Sequence, residues 1–378
     1  MKLQIIIPSF TPHFPELLEM LHSMACLITD ISSISISLIL SSDAEVFLLT
    51  SLLSDPTTKS CGSTYLAYNI LPSARTLTYP PHLTLHNLYT LLPSNIQNLT
   101  TPTETSDLVK KYGKYKYQSM KKLAAAAHFE YDYAILLDSE GLVIRPVAFK
   151  ELVREWMKRP VVWKELAAVG SPRRNGWVVG INEGCARTLG RTMQNFGTGV
   201  SFWEGYTWIL EKEIVMDMVN SPSRLNPNTD FFTRLLKAKS DIFEIVMYKI
   251  HIAGRKMEKS SSTSEVYTKY RILDIQETLI DYGLEAAYTR IPPNLDVISQ
   301  RFPSMILEEP LQDLLVSFMK EYKFFFIYFD PGYLSQIPHA VLQEFLRKAP
   351  LAMTVSGTTG LPREFIPAGK GGWNMSYV

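Results

Sequence analysis

Residues 131–146 read YDYAILLDSEGLVIRP, and this stretch decides the expected fold. Ala134–Leu137 is an apolar run that is too short for a helix and is typical of a strand buried on both faces. The run stops at two carboxylates, Asp138 and Glu140, which a single residue separates. Gly141 then allows the chain to turn before an extended apolar pattern resumes. We therefore expect a buried strand that ends in a pair of acidic side chains.

The spacing of Asp138 and Glu140 favours a metal site at the end of this strand. Side chains two residues apart on an extended segment point the same way, so both carboxylates can bind one divalent cation. Carboxylates together with substrate phosphates are the ligands that Mg²⁺ or Mn²⁺ prefers. The sequence Asp-Ser-Glu-Gly is also typical of a turn between two strands, so a purely structural role stays open at this point.

The composition narrows the classes of function. The chain has 378 residues and a net charge of +1, which allows one large domain or two and gives no sign of a general nucleic-acid binder. No stretch approaches the roughly 20 apolar residues of a membrane span, and the first apolar run is too short for the core of a signal peptide. We expect no nucleic-acid partner, no transmembrane segment and a cytoplasmic location.

Three segments near the amino terminus predict a parallel sheet. Leu3–Ile7 and Ile34–Leu40 are typical of buried strands, and residues 15–28 between them carry apolar side chains at helical spacing. Strand, helix and strand in this order are the start of a parallel α/β sheet. In the connection that follows, we predict a strand at Tyr68–Leu71 and a short helix at Leu83–Leu92.

Polar residues follow both of the first strands. Pro8 and Ser9 end the first strand, and Asp43 follows the second. Ligands of parallel α/β sheets bind beyond the carboxyl ends of the strands, so these residues are candidates for ligand contacts. Asp43 can accept hydrogen bonds from a ribose or a base, and it can equally cap the helix that we predict over residues 44–53.

A lysine-rich segment precedes the acidic strand. We predict a helix over residues 107–127 whose apolar stripe leaves Gln118, Lys121 and Lys122 on its other faces. A diphosphate needs a metal ion on one side and ammonium groups on the other, so a basic helix beside an acidic cation site suits it. A lysine face exposed to solvent is the usual alternative for such a run.

Two further polar residues are candidates for the chemistry. Asp230 is predicted in the first turn of a helix capped by Asn228 or Thr229, where it either stabilises the helix dipole or faces a cleft as a base. His251 is predicted near the end of a helix over residues 241–252. A single histidine there is usually structural, but it is also the best local candidate for a third metal ligand or a phosphate contact.

An aromatic segment lies between these candidates and the acidic strand. Trp203, Tyr206 and Trp208 offer flat apolar faces with polar tips, which suit sugar rings. Aromatic residues at this density also build cores, because each of them buries a large area. Farther along the chain, Lys323–Phe329 and residues 351–355 are predicted strands, with a helix between them at residues 341–346.

In the order of these parts, residues 1–251 resemble a nucleotide-sugar glycosyltransferase of the GT-A type. In that family an acid-x-acid triplet binds Mn²⁺ or Mg²⁺, and the ion holds the donor diphosphate. The triplet of this chain ends in Glu140 instead of the commoner aspartate. The resemblance rests on the strand ended by Pro8-Ser9, the strand ended by Ser41-Ser42-Asp43, the helix with Gln118, Lys121 and Lys122, and the triplet Asp138-Ser139-Glu140.

The resemblance implies an α/β fold of the GT-A (Rossmann-like) type, with a mixed, mostly parallel central sheet flanked by helices. It implies a nucleotide-sugar-binding and catalytic domain over residues 1–255. We expect residues 256–378 to form a C-terminal α/β extension that packs on the same domain and covers the acceptor site.

The implied activity is metal-dependent transfer of a hexosyl or pentosyl group from a UDP- or GDP-linked sugar to a hydroxyl of a glycan or other acceptor. An inverting enzyme also needs a carboxylate base, for which Asp230 is the first choice and Glu204 the second. The residues implied to hold the ion are Asp138, Glu140 and His251, and those implied to contact the donor are Pro8, Ser9, Asp43, Gln118, Lys121, Lys122 and Asp138.

Two other functions stay open on the same scaffold. A sugar nucleotidyltransferase shares the sheet and the acidic site, but it would carry a glycine-rich basic loop after the first strand, where residues 8–12 contain no glycine. The second is a non-catalytic protein that binds a nucleotide or a glycan, which the intact pair of Asp138 and Glu140 disfavours.

Overall fold

The computed structural model describes residues 1–54, 79–166, 172–202, 208–221, 228–258, 265–284, 306–328 and 337–356. The strands are β1 (Leu3–Pro8), β2 (Ser35–Leu40), β3 (Leu83–Asn87), β4 (Tyr133–Leu136), β5 (Leu142–Val143), β6 (Val161–Leu166), β7 (Val200–Ser201), β8 (Ile209–Glu211), β9 (Arg271–Asp274), β10 (Phe326–Tyr328) and β11 (Met353–Ser356). The helices are α1 (Phe14–Leu27), α2 (Asp43–Leu53), α3 (Ser94–Gln97), α4 (Asp107–Tyr112), α5 (Lys114–His128), α6 (Phe149–Met157), α7 (Pro172–Thr188), α8 (Lys212–Asn220), α9 (Phe231–Leu236), α10 (Glu244–Met257), α11 (Glu265–Thr268), α12 (Ile275–Asp281), α13 (Glu309–Glu321) and α14 (His339–Lys348).

The central sheet has the strand order β3-β2-β1-β4-β8. The first four strands are parallel, and β8 closes the edge in the antiparallel direction. The apolar runs of β1 and β4 are buried because helices cover the sheet, with α5 packed against β1 and β2. The predicted α/β class, with a mixed, mostly parallel central sheet flanked by helices, is confirmed.

Two small sheets join late strands to early ones. β11 pairs with β5 and β10, and β9 pairs with β6, which also pairs with β7. Strands after residue 255 therefore complete sheets that begin before it. The domain boundary at residue 255 stays a prediction, as does the covering of the acceptor site. Among the described helices, none is both long and apolar enough to cross a membrane.

The prediction of a helix at residues 83–92 is wrong. Leu83–Asn87 forms β3, and only Leu88–Leu91 is helical, as a 3₁₀ turn. β3 pairs in parallel with the open side of β2, from Ile36 opposite Leu83 to Leu40 opposite Asn87. This pairing overrides the weak local helix preference of the leucines. The strand predicted at Tyr68–Leu71 lies outside the described residues.

The helix predicted over residues 107–127 is two helices. α4 ends at Tyr112 and α5 begins at Lys114, with Gly113 between them at φ +92°. Side chains other than hydrogen rarely tolerate this conformation, so the glycine sets the break. The break gives α5 its own direction, and α5 carries the lysines of the candidate site.

Candidate active site

The candidate site lies where the strand order of the central sheet reverses. β1 has β2 on one side and β4 on the other, so the connections after β1 and β4 leave a crevice at their carboxyl ends. Ser9 directly follows β1, and its amide donates to Ile39 O at 3.0 Å. Asp138 lies just beyond β4, after Leu137, whose amide donates to Ile6 O at 3.0 Å. The sequence prediction that polar residues meet at this edge therefore agrees with the topology.

Asp138 and Glu140 both reach the surface at this edge. Their side chains are 38% and 33% exposed, whereas Ser139 between them is buried. The chain turns at Ser139 and Glu140, so the extended geometry expected for the triplet ends at Asp138. The two carboxylates also have different partners, because Asp138 Oδ1 lies 2.9 Å from Lys122 Nζ and Glu140 Oε1 lies 2.9 Å from His13 Nδ1.

His13 is a site residue that sequence reasoning missed. It ends a 3₁₀ turn that follows β1, and Phe10 packs on its ring with 4.2 Å between the ring centroids. Its Nδ1 lies 2.9 Å from Glu140 Oε1 and 3.3 Å from Ser139 Oγ. The available signal was its position in the loop after β1, because loops after neighbouring parallel strands meet at one edge.

Lys122 forms an ion pair with Asp138. Its ammonium group is buried and lies 2.9 Å from Asp138 Oδ1 and 2.6 Å from Glu244 Oε1. Ser119 Oγ donates to the second oxygen of Glu244 at 2.9 Å. Burial opposes the charge on Lys122, but Asp138 and Glu244 together outweigh it and raise the pKa of this ammonium group. The two carboxylates therefore favour the protonated form of Lys122, and its ion pair orients one member of the acidic pair.

Lys121 connects the ends of the first two strands. Its buried ammonium group donates to Ser9 O at 2.6 Å and to Ser41 Oγ at 3.0 Å. Burial lowers its pKa to about 7, although Glu45 acts in the opposite direction. The structure thus buries both lysines, so the alternative of a lysine face exposed to solvent is wrong for these two residues. Their predicted contact with a donor diphosphate stays a prediction. Gln118, on the same helix, is partly exposed.

Glu45 links the loop after β1 to the loop after β2 through hydrogen bonds. Its Oε2 accepts a hydrogen bond from the Ser41 amide at 2.7 Å, and its Oε1 accepts from the amide and hydroxyl of Thr11 at 2.9 and 3.1 Å. Sequence reasoning missed this residue too. One carboxylate therefore fixes the loop after β1 against the loop after β2.

Asp43 does not cap α2. The cap is Ser42, whose Oγ accepts from the Glu45 amide at 3.2 Å, so the capping role considered for Asp43 is wrong. Asp43 stands exposed in the first turn, where its Oδ1 accepts from Asn87 Nδ2 at 2.7 Å. It remains at the carboxyl edge of β2, where a contact with a ligand stays a prediction.

Asp230 is itself the cap of α9, which corrects the predicted cap at Asn228 or Thr229. Its Oδ1 accepts from the Thr233 amide at 3.0 Å, and its Oδ2 accepts from Asn95 Nδ2 at 2.7 Å. The structure therefore engages both carboxylate oxygens in hydrogen bonds that anchor the helix. Glu204, Trp203 and Tyr206 lie outside the described residues, and Trp208 stands with its ring 5.3 Å from Lys122 Nζ.

His251 is not brought to the acidic pair. It is buried on α10, where its Nε2 lies 2.9 Å from Asp217 Oδ2 and 3.1 Å from the Tyr267 hydroxyl. It follows Glu244 by seven residues of helix, a rise of roughly 10 Å. Burial lowers the pKa of His251 even though Asp217 opposes this effect. The predicted role of His251 as a third ligand is therefore wrong.

Asp138 and Glu140 stay the predicted ligands of a cation at this edge. In the part of the chain that the structure describes, no three histidine, cysteine or acidic side chains are grouped to hold a metal ion. A pair of carboxylates is nevertheless sufficient where the phosphates of a substrate complete the coordination of Mg²⁺ or a similar ion. The arrangement is suited to an ion that binds together with a diphosphate.

Comparisons with known proteins add structural likenesses. No model of a known protein family matches the sequence, and a search of curated proteins finds no match. The structure of TarS from S. aureus is 12% identical, with 93% of this chain and 49% of that chain covered and a TM-score of 0.31. This chain thus spans about half the length of that protein.

Two other solved structures resemble the chain over much of their own length. Mouse xyloside xylosyltransferase 1 is 12% identical, with 76% of this chain and 93% of that chain covered and a TM-score of 0.33. The galactosyltransferase LgtC, solved with donor and acceptor sugar analogues, is 13% identical, with 70% and 82% covered and a TM-score of 0.28. Likenesses at these TM-scores do not establish the function of this chain.

Proposed function

We propose that the chain is a metal-dependent glycosyltransferase that moves a sugar from a nucleoside-diphosphate sugar to a hydroxyl of a glycan or other acceptor. The observation that carries the proposal is the acidic pair, Asp138 and Glu140, partly exposed at the point where the strand order of the sheet reverses. Nucleotides bind α/β sheets in the crevice at this point. A carboxylate pair in that crevice suits a divalent ion that binds a diphosphate.

The residues present fit Mn²⁺ or Mg²⁺. Each carboxylate uses one oxygen in its ion pair, Asp138 with Lys122 and Glu140 with His13, and so keeps a second oxygen as a ligand. When bound, the ion would neutralise negative charge that develops on the departing nucleoside diphosphate. Nearby, Ser9 Oγ is a buried polar atom that has no hydrogen-bond partner among the described residues.

Residues of the chain fix the positions of the groups at the edge where the donor would bind. Lys122 holds Asp138 in place and remains protonated, while Lys121 and Glu45 fix the loops that follow β1 and β2. Fixed groups lower the cost of reorganisation when charge develops in the transition state. Ser9 and Asp43 are then placed at the ends of neighbouring strands, where they can contact the donor nucleotide.

The reaction forms one bond and breaks another. The acceptor oxygen attacks the anomeric carbon, and the bond from that carbon to the phosphate oxygen breaks, with its electron pair leaving on the nucleoside diphosphate. In an inverting reaction a carboxylate takes the acceptor proton. Asp230 and Glu204 stay the candidates for this base. Because Asp230 also caps α9, a test of its catalytic role has to measure both the activity and the stability of each variant.

The test is release of nucleoside diphosphate from nucleotide sugars with and without Mn²⁺. UDP-N-acetylglucosamine is the first donor to try, since structures of TarS hold UDP and UDP-GlcNAc. We expect Mn²⁺-dependent release by the wild type, and no release by Asp138→Ala or Glu140→Gln. Glu151→Gln, which removes an exposed carboxylate paired with Arg154 on α6, is the matched control and should retain activity.

Two results would contradict the proposal. Full activity of Asp138→Ala, with the fold intact, would reject the acidic pair as the metal site. Release of pyrophosphate from a nucleoside triphosphate and a sugar phosphate would identify a nucleotidyltransferase instead.

A further inference from the structure

A cavity of about 480 Å³ opens at the opposite, amino-terminal edge of the central sheet. Its floor is made by residues of three strands, and one wall is made by Phe129 and Glu130, which follow α5. The floor residues are Gln4 of β1, Ser35 and Ser37 of β2, and Leu83, Thr84 and His86 of β3. Gln4 precedes Ser9 by five residues of extended chain, so this end of the cavity lies roughly 17 Å from Ser9. His86, at the other end, is in register with Ile39 and Pro8, but β2 separates it from β1. The cavity is therefore a separate site.

The floor of this cavity is polar, although parallel sheets usually bury apolar faces. Gln4, Ser37, Thr84 and His86 come from three neighbouring strands and form one hydrogen-bonded row. Gln4 Nε2 donates to Ser37 Oγ at 3.0 Å, and Ser37 Oγ lies 3.2 Å from Thr84 Oγ1 and 3.3 Å from His86 Nε2. Strand positions that would normally carry aliphatic side chains carry donors and acceptors instead.

The row keeps hydrogen-bonding capacity for a ligand. The hydrogen bonds of Gln4 are made by its Nε2, to Ser37 and to the Ile5 carbonyl, which leaves its Oε1 as an acceptor beside the cavity. Thr84 is exposed at the cavity. Its hydroxyl donates to Ile36 O at 3.2 Å and lies 3.0 Å from His86 Nε2, so it can serve a ligand as an acceptor.

The remaining lining is mixed, with Ser35, Pro81, His82, Leu83 and Phe129 beside one positive and one negative side chain, Lys2 and Glu130. The ring of Phe129 packs against His86 with 4.8 Å between the ring centroids, and Leu83 lies beside them. Lys2 and Glu130 at the rim carry opposite charges. Burial and, to a smaller extent, His128 lower the pKa of His86, so its ring is neutral near neutral pH. This environment disfavours an anion and suits a neutral ligand.

We infer that this cavity binds a neutral, polyhydroxylated molecule of monosaccharide size, either a free sugar or the end unit of an oligosaccharide. A sugar presents hydroxyl groups that can donate to Gln4 Oε1 and Thr84 Oγ1, and an apolar face of C–H groups that suits the ring of Phe129. The volume lies within the usual range for ligand pockets, about 300–1,000 Å³. The inference does not depend on the proposed catalytic function.

The experiment is ligand-observed NMR with glucose, galactose, N-acetylglucosamine and xylose, and with a trisaccharide of each. We expect at least one of these sugars to bind the wild type. Thr84→Val removes one hydroxyl at nearly constant volume, so the affinity should fall about fivefold, as for one lost hydrogen bond. Thr50→Val, at an exposed position on α2, is the matched control and should bind like the wild type.

Further arms separate the sources of binding and the two sites. Tighter binding of a trisaccharide than of its monosaccharide would identify a glycan end as the ligand, and equal binding would identify a free sugar. Phe129→Leu should weaken binding as well, and Asp138→Ala should leave it unchanged. The inference is overturned if no sugar binds, if Thr84→Val binds like the wild type, if Asp138→Ala abolishes binding, or if inorganic phosphate binds more tightly than every sugar.

Discussion

Substitution of Lys122 should lower the free energy of unfolding more than substitution of any exposed lysine. The ammonium group sits between Asp138 and Glu244, and the side chains of Lys122 and Glu244 are only 7% and 5% exposed. Lys122→Met therefore leaves the Glu244 carboxylate buried without its counter-ion. Breaking a buried pair in this way costs about 3–5 kcal/mol. Asp138 adds little to this cost because water can solvate its exposed side.

The double variant Lys122→Met/Glu244→Gln tests the origin of the cost. It removes both buried charges and keeps a polar side chain near Ser119. Replacing a whole buried pair is far less costly than breaking it, so the double variant should recover all but about 1–2 kcal/mol of the wild-type stability. Urea unfolding followed by tryptophan fluorescence measures all three proteins. A loss below about 1 kcal/mol in Lys122→Met, or a double variant as unstable as the single one, would refute the reasoning.

The remaining predictions concern three other residues. Lys121 has a pKa of about 7 in the folded protein, against an ordinary value of 10.5. Between these two pH values the unfolded chain binds a proton at Lys121 that the folded protein does not bind. The free energy of unfolding of the wild type, relative to that of Lys121→Met, should therefore rise with pH across this window and stay constant below it. A level difference throughout, measured by urea unfolding at several pH values, would contradict this account. Glu45→Gln should weaken UDP binding by calorimetry, because it loosens the loops at Ser41 and Thr11, and unchanged affinity would show that this brace is dispensable. Asp230→Ala should lose about 1 kcal/mol through the lost helix cap; if Asp230 is also the base, Asp230→Asn lowers transfer far more than donor binding, and equal effects on both would remove it from that role.

Local patterns were enough to predict the central sheet. The short apolar runs of β1, β2 and β4 each end at polar residues, and this pattern survives in the fold because strands of a parallel sheet are buried on both faces. The position of Asp138 and Glu140 at the carboxyl edge followed from the same pattern. β3 was missed, because its leucines favour a helix locally and the open side of β2 makes it a strand.

The partners of the site residues depend on contacts that are distant in sequence. Lys121 and Lys122 belong to a lysine-rich run that is typical of a helix face exposed to solvent. They are buried because α5 packs so that Lys121 contacts Ser9 and Lys122 contacts Glu244. His251 was assigned to the metal site because it is a lone histidine near a helix end, but the fold places it against Asp217. For His13 the sequence offers only its position in the loop after β1, because its contacts with Ser139 and Glu140 link residues 126 positions or more apart.

The central claim is that Asp138 and Glu140 bind a divalent ion that in turn binds the donor diphosphate. Its most direct test is calorimetric titration of UDP and GDP into the wild type, with Mn²⁺ and with a chelator, and into Asp138→Asn. The account predicts that one nucleotide binds the wild type only with Mn²⁺, and that Asp138→Asn weakens this binding at least tenfold, about 1.4 kcal/mol. Equal affinity of both proteins, or equal affinity with Mn²⁺ and with the chelator, would contradict the claim.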